Sequence, residues 1–372
     1  MKKDSKIYIA GHLGLVGSAI TKSLKNNGYN NLIFRSKKEL NLINQNEVRK
    51  FFNNEKPEYV IIAAAKVGGI GANNNFRGEF IYENILIQSN LIHCSYEFPV
   101  NKLIFLGSTC IYPKNTLQPI TEESLLTSDL EYTNEPYAIA KISGIKLCES
   151  YNLQYGCNFL SLMPTNLFGP NDNFNLEKSH VLPAILRKIH LGKCLENGDW
   201  NKISSDFKTR PVIENYEYLS REEKIKVLSN FGINIKNNKV EVEIWGSGKP
   251  LREFLWSEDM ADAVVHALEN INFIDIVNYN NLNTPGFDKK EIKNCHLNVG
   301  SGKEISIYDL SLLIKKIIDF DGDLFFNKSK PDGTSRKLTD ISKLKNLGWS
   351  HNIKLVDAIK LFYDYYLKSI NI

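Results

Sequence analysis

A short apolar run, Ile7–Ala10, ends directly on Gly11-His12-Leu13-Gly14-Leu15-Val16-Gly17, and the residues after it have helical period. A strand that turns through three glycines straight into a helix has few uses. The glycines let backbone come close to a ligand, and the first N–H groups of the helix face outward with partial positive charge. Glycines spaced this way also end strands for purely structural reasons. Their place after a strand and before a helix marks a phosphate-binding turn, so Gly11, Gly14, Leu15, Val16 and Gly17 are the expected contacts of a dinucleotide.

The rest of the chain repeats this rhythm. Apolar runs at Ile7–Ala10, Asn31–Phe34, Tyr59–Ala63, Lys102–Leu106 and Phe159–Met163 are strand candidates, with helical stretches between them, notably Ala138–Tyr155. Short buried strands alternating with helices specify an α/β fold: a Rossmann-type doubly wound parallel sheet. Beyond about residue 170 the pattern changes to a helix at Val181–His190, an alternating strand at Val240–Ile244, and helices at Glu258–Glu269 and Ile307–Asp319. We therefore expect a dinucleotide-binding domain over 1–170, with later segments returning to it, and a smaller C-terminal α/β substrate domain over 171–372. The stretch 197–239 is rich in Asn, Lys and Glu around a helix-like Arg221–Leu228, and reads as an inserted excursion or a partly ordered flap.

A net charge of +4 over 372 residues is too small to point to nucleic acid, though it permits anionic ligands. Cys94, Cys110, Cys148, Cys157, Cys194 and Cys295 include no C-x-x-C pair, so free thiols in a reducing compartment are expected, with no metal. The apolar start is broken by glycines and lacks a cleavage site, and no run approaches a membrane span. A soluble cytoplasmic protein is expected.

Where an NAD enzyme places a carboxylate on the ribose 2′-hydroxyl, at the end of the second strand, this chain has Arg35-Ser36-Lys37-Lys38. A guanidinium can bind a 2′-phosphate, which favours NADP(H); the same residues read otherwise as a solvated basic loop. Ala64, after the third strand, offers a small side chain beside which a cofactor can lie. Tyr137 and Lys141 are four apart at the start of a helix and so share a face. An ammonium beside a phenol lowers its pKa from about 10 and makes it a usable acid–base. Ser108 ends the fourth strand, where open α/β sheets bind ligands. Together these form the Ser–Tyr–Lys set of a carbonyl reductase.

Three longer blocks carry a specific resemblance: Gly107-Ser108-Thr109-Cys110-Ile111-Tyr112-Pro113, Asn134-Glu135-Pro136-Tyr137-Ala138-Ile139-Ala140-Lys141 and Pro164-Thr165-Asn166-Leu167-Phe168-Gly169-Pro170. They resemble the signatures of the GDP-L-fucose synthase family, a branch of the extended short-chain dehydrogenases. Ala65–Ile70, Trp245–Gly248, Arg252–Leu255 and Lys330–Thr334 resemble it too, so the likeness spans the chain except 197–239 and the looser 271–294. It implies an enzyme that epimerises C3 and C5 of a GDP-linked 4-keto sugar and then reduces C4 with NADPH, acting as a homodimer. By the same resemblance Cys110 and His180 are the proton-exchanging pair. Lys141, Pro164, Asn166, Leu167 and His180 border the cofactor, and Lys188, Trp245, Arg252 and Asp332 line the nucleotide-sugar site, with Lys188 and Arg252 on phosphates. On residue chemistry alone, Cys110 reads as a small buried hydrophobe and His180 as a cap or core histidine, while Trp245 and Arg252 read as a packed aromatic and a surface charge.

The chain departs from the family at Leu13, where the pattern carries arginine near the 2′-phosphate, and at Trp256-Ser257-Glu258-Asp259 near the substrate lid. A GDP-4-keto-6-deoxyheptose for capsule or lipopolysaccharide is therefore the rival substrate, with or without epimerisation. Sugar 4,6-dehydratases place Asp-Glu where Cys110-Ile111 stands. A non-catalytic cofactor-binding regulator has no need of Tyr137 and Lys141.

Overall fold

The computed structural model describes residues 1–284 and 290–370, so part of the looser 271–294 stretch and the last two residues of the C-terminal domain lie outside it. The chain divides into two compact units: 1–167, 253–303 and 338–352 form the first, and 168–252, 304–337 and 353–372 the second.

The first unit is built on a six-stranded sheet, in the order Leu297–Val299, Phe159–Pro164, Lys102–Leu106, Tyr59–Ile62, Ile7–Ala10, Leu32–Ile33, all parallel. Both faces are buried, and side chains alternate between two separate cores. Ile7, Ile9, Ile61, Ile104, Leu106, Leu160, Leu162, Leu297 and Val299 pack with the helices Leu15–Asn26 and Ser257–Asn270. Tyr8, Ala10, Val60, Ile62, Leu103, Phe105, Phe159 and Met163 face the other way, toward Gln45–Glu55, Arg77–Glu97 and Glu135–Tyr155. This is why each strand reads as a continuous apolar run. The expected strand over 31–34 shortens to a two-residue ladder at the sheet edge. Among the described residues no helix is long and apolar enough to cross a membrane.

Glu253 fastens the segments that return to this unit. It is fully buried: Oε1 accepts from Gly302 N at 2.7 Å, and Oε2 accepts from Thr339 N at 3.0 Å and Thr339 Oγ1 at 2.6 Å. Its backbone carbonyl accepts from Asn166 Nδ2 at 2.8 Å. A carboxylate in an apolar strand is tolerable only with its lone pairs filled, as here.

In the second unit, Lys239–Trp245 pairs parallel with Asp323–Asn327 and antiparallel with Ile233–Lys236. Asn237 and Asn238, at φ 49° and 61°, make the two-residue turn that the right-handed twist of a hairpin favours. The stretch 197–239 is therefore folded. Trp200–Thr209 and Arg221–Asn230 are helices, the second closed by a capping box of Ser220 and Glu223. Their composition misleads because a few residues carry the packing: Ile203, Phe207, Val227 and Leu228 are buried. A fully buried ion pair joins Trp200–Thr209 to Val181–Glu196, with Arg187 donating to Asp206 Oδ1 from Nε at 3.0 Å and Nη2 at 2.6 Å. Arg187 also reaches the carbonyls of Phe174 and Arg210, and Tyr366 donates to Asp206.

Removing one partner of such a pair strands the other charge. Asp206→Ala is expected to lose about 3–5 kcal/mol of stability in urea unfolding. A loss under about 1 kcal/mol would show that the excursion is not anchored through Arg187.

Candidate functional site

The glycine turn has the geometry its sequence implies. Gly11 sits at φ 89°, and a Cβ there would lie 2.7 Å from Ala64 N. A Cβ on Gly17 would lie 2.1 Å from the Gly11 carbonyl oxygen, so helix and turn touch backbone to backbone. The helix Leu15–Asn26 begins at an N-cap, Gly14, whose missing side chain leaves the first N–H groups uncapped, and its first turn has no acidic residue. Leu15 and Val16 are half-buried at its start, and Leu13 stands 71% exposed at the lip of the turn. The His12 ring lies 4.9 Å from that of Phe34, and its buried Nδ1 has no hydrogen-bond partner in the protein. A glycine cradle, open helix N–H groups and an unused imidazole nitrogen fit the pyrophosphate and ribose of a dinucleotide.

Arg35 does not stand free at the turn. Its Nη2 donates to Glu55 Oε1 at 2.5 Å, its Nη1 to the Phe34 carbonyl at 2.7 Å, and the guanidinium lies over the Phe51 ring. Ser36, Lys37 and Lys38 follow on the surface, the two lysines exposed. Pro164 closes the strand Phe159–Pro164, while Asn166 and Leu167 are held by the Glu253 carbonyl and the sheet core respectively.

Four of the expected chemical groups come together in the first unit. The strand Lys102–Leu106 runs through Gly107 into Ser108, whose Oγ accepts from Cys110 N at 3.2 Å and so caps the single turn Thr109–Ile111. Ser108 and Cys110 are both half-buried, so Cys110 is not the sealed core thiol its apolar neighbours suggest. Glu135–Tyr155 begins on Pro136, a residue preorganised for a first helical turn, and carries Tyr137 and Lys141 on one face. Lys141 is 3% exposed; its Nζ donates to the Leu106 carbonyl at 2.8 Å and lies 5.8 Å from the Tyr137 ring centroid. The helix is thus pinned to the strand that bears Ser108.

The expected depression of the phenol does not occur. Burial pushes Tyr137 above its ordinary value, and the nearby Cys110 thiolate would push it further. Burial brings Lys141 down to about 7. The reason is geometric: the ammonium bonds a carbonyl and faces the ring, so it does not reach the phenol oxygen.

The second unit carries the other expected residues. His180 is the N-cap of Val181–Glu196, solvent-exposed and making no side-chain capping bond, with the bulk of surrounding protein lowering its imidazole from the ordinary value. Lys188 is buried about two turns into the same helix; its Nζ donates to the Glu243 carbonyl at 2.7 Å, and burial brings it down to about 8. Trp245 ends its strand 60% exposed, with Lys330 Nζ 5.2 Å from its ring. Arg252 donates to the Leu251 carbonyl at 2.7 Å. Asp332 accepts from Ser247 N at 2.8 Å and Ser247 Oγ at 2.7 Å, and those bonds hold its carboxyl below the usual range. Glu253 was legible only as part of a motif; a carboxylate within the apolar run 253–256 was the available signal of a buried role.

Comparison with known proteins places these features in a lineage. The model of the NAD dependent epimerase/dehydratase family matches residues 7–204 and 218–280, leaving out only 205–217 of the excursion. The chain is 45% identical to GDP-L-fucose synthase 1 of Arabidopsis thaliana over 99% of its length and 95% of that protein's. Among solved structures it is 44% identical to a GDP-6-OMe-4-keto-L-xylo-heptose reductase from Campylobacter jejuni, with TM-score 0.89 and 99% of both chains covered. It is equally 44% identical to a GDP-mannoheptose C4 reductase from the same organism with NADP bound, with TM-score 0.85 and 99% of both chains covered. The chain belongs to the NAD dependent epimerase/dehydratase family and, within it, to the GDP-L-fucose synthase group.

Proposed function

We propose that this enzyme uses NADPH to reduce the C4 ketone of a GDP-linked 4-keto-6-deoxy sugar after proton exchange at C3 and C5. The observation that carries the reading is the convergence of Ser108, Cys110, Tyr137 and Lys141 on the carboxyl end of one strand. When bound, NADPH would supply the hydride for C4. Gly11, Gly14, Leu15, Val16 and Gly17 would hold its pyrophosphate, Ala64, Pro164, Asn166 and Leu167 would border it, and Lys141 keeps two further N–H donors for its ribose. Arg35 spends one N–H on Glu55 and one on the Phe34 carbonyl and keeps three for a 2′-phosphate; Lys37 and Lys38 stand beside it exposed.

For reduction, Tyr137 must give a proton to the forming alkoxide, and a phenol held above its ordinary value is protonated throughout the neutral range. Ser108 donates to the same oxygen. At C3 and C5, each α to the ketone, removal of a proton gives an enolate whose charge Ser108 and Tyr137 hydroxyls stabilise. We assign the base and acid of that exchange to Cys110 and His180, and the sugar nucleotide's diphosphate and base to Lys188, Trp245, Arg252 and Asp332. Lys188 donates to the Glu243 carbonyl and Asp332 accepts from Ser247, bonds that leave each group capacity for a ligand.

A GDP-4-keto-6-deoxyheptose is the second reading, favoured by the likeness to two heptose-nucleotide reductases. The product would then be a precursor of capsule or lipopolysaccharide, made in the cytoplasm. We further infer a homodimer through Arg77–Glu97 and Glu135–Tyr155, where Tyr82 and Leu153 remain 63% and 50% exposed. Sedimentation at micromolar concentration is expected to give twice the monomer mass, and a monomer would refute it.

With GDP-4-keto-6-deoxymannose in D2O, the product is expected to carry deuterium at C3 and C5. Tyr137→Phe is expected to slow reduction by about 10²–10⁴-fold, and normal turnover would sink the mechanism. Cys110→Ser is expected to cut deuterium incorporation about 100-fold while NADPH affinity stays put. If hydride reaches C4 without deuterium at either carbon, the enzyme is a C4 reductase alone. Turnover only with the heptose substrate would select the second reading.

A further inference from the structure

We propose that Tyr112 is a positioning residue that fixes the turn bearing Cys110 by hydrogen-bonding into a buried polar lock formed by Asn298 and His296. The inference rests on the role given to Cys110 above. Tyr112 follows the turn Thr109–Ile111 directly, and its N–H closes that turn on the Thr109 carbonyl. Its side chain is 1% exposed, and His296 and Asn298 are fully buried.

The direction of every bond in the lock follows from its neighbours. Asn298 Nδ2 donates to the carbonyls of Ile120 at 3.0 Å and Asp340 at 3.2 Å, so Oδ1 must be the atom that faces Tyr112. The phenol therefore donates to Asn298 Oδ1, at 2.5 Å. A hydroxyl donates once, so the contact with His296 Nε2 at 3.0 Å requires the ring to donate to the phenol oxygen. That leaves Nδ1 as the bare lone pair, and it is the ring atom without a partner. The backbone N–H of Asn298 is in turn taken by Glu122 Oε1 at 2.9 Å.

Neither bonding direction nor ring tilt can change without stranding a buried polar group, so the lock has one setting. Cys110 lies two residues from that fixed point, in the middle of a single 3-10 turn whose start is capped by Ser108. The backbone that carries the thiol is thus held from both sides, by Ser108 locally and by Tyr112 across the unit. A base that must reach ring carbons tolerates little displacement, whereas the cofactor cradle at residues 11–17 has no part in this network.

The test uses the full-length protein and two independent readouts. The first is deuterium exchange into GDP-4-keto-6-deoxymannose in D2O without NADPH. The second is the iodoacetamide alkylation rate of each cysteine, resolved by peptide mass spectrometry without substrate. Tyr112→Phe is expected to slow exchange about tenfold and to change Cys110 alkylation at least about threefold, with Cys94, Cys148, Cys194, Cys295 and NADPH affinity unchanged. His296→Gln, which keeps a donor for the phenol, is expected to show a smaller change in both. The proposal is overturned if Tyr112→Phe leaves both readouts within about twofold of wild type, or if the four buried cysteines become reactive in step with Cys110, the mark of general loosening. Should the wild-type protein exchange no deuterium, the epimerase reading falls and the alkylation pattern alone decides the lock.

Discussion

A single buried carboxylate holds the larger unit together. Glu253 lies in an apolar strand with no exposure, where an unfilled acceptor would cost more than most packing contacts contribute. Its oxygens accept from Gly302, at the far end of its own segment, and from Thr339 in the next, and its carbonyl holds Asn166 from an earlier one. The core on one face of the sheet needs the helix Ser257–Asn270 and the strand Leu297–Val299, and both belong to the segment that begins at Glu253. The cofactor cradle, the Ser108 turn and the pinned Tyr137 helix are all mounted on that sheet.

Burial also tunes the chemistry. The charged forms of Tyr137 and Lys141 are both disfavoured, the phenol toward its protonated state and the amine toward neutrality. For a proton donor in a reduction the first shift is useful, because the proton to be delivered is in place at neutral pH. The second means that a negative charge entering the site favours the protonated amine, whose hydrogen bond goes to the Leu106 carbonyl and not to a carboxylate.

The strands and the main helices were legible because apolar runs of four to six residues broken by helical period have one common solution, and because glycines before a helix start are hard to explain otherwise. The site was legible in proportion to how local it is. Ser108, Cys110, Tyr137 and Lys141 lie on two short segments and come together as expected. Arg35, Lys188 and Asp332 stand in the sequence as ligand contacts, yet each is also engaged by a residue 20, 55 or 85 positions away, which no local pattern reveals. Tyr137 was expected to be depressed by its helical neighbour, and the carbonyl that captures Lys141 comes from another strand. In 197–239, polar composition conceals a few buried side chains and one fully buried ion pair.

The path of the chain has a consequence for synthesis. Crossings between units fall after residues 167, 252, 303, 337 and 352, so neither unit is a continuous piece. A nascent chain emerging from the N-terminus finishes the strand Phe159–Pro164 long before its neighbour Leu297–Val299 or the last Glu253 partner, Thr339, exists. At ribosomal speeds of about 5–20 residues per second, that wait is roughly ten to thirty seconds. Through it, Leu160 and Leu162 lack the helix and strand that will cover them. The larger unit therefore closes only late in synthesis, with an apolar sheet face uncovered at the ribosome in the meantime.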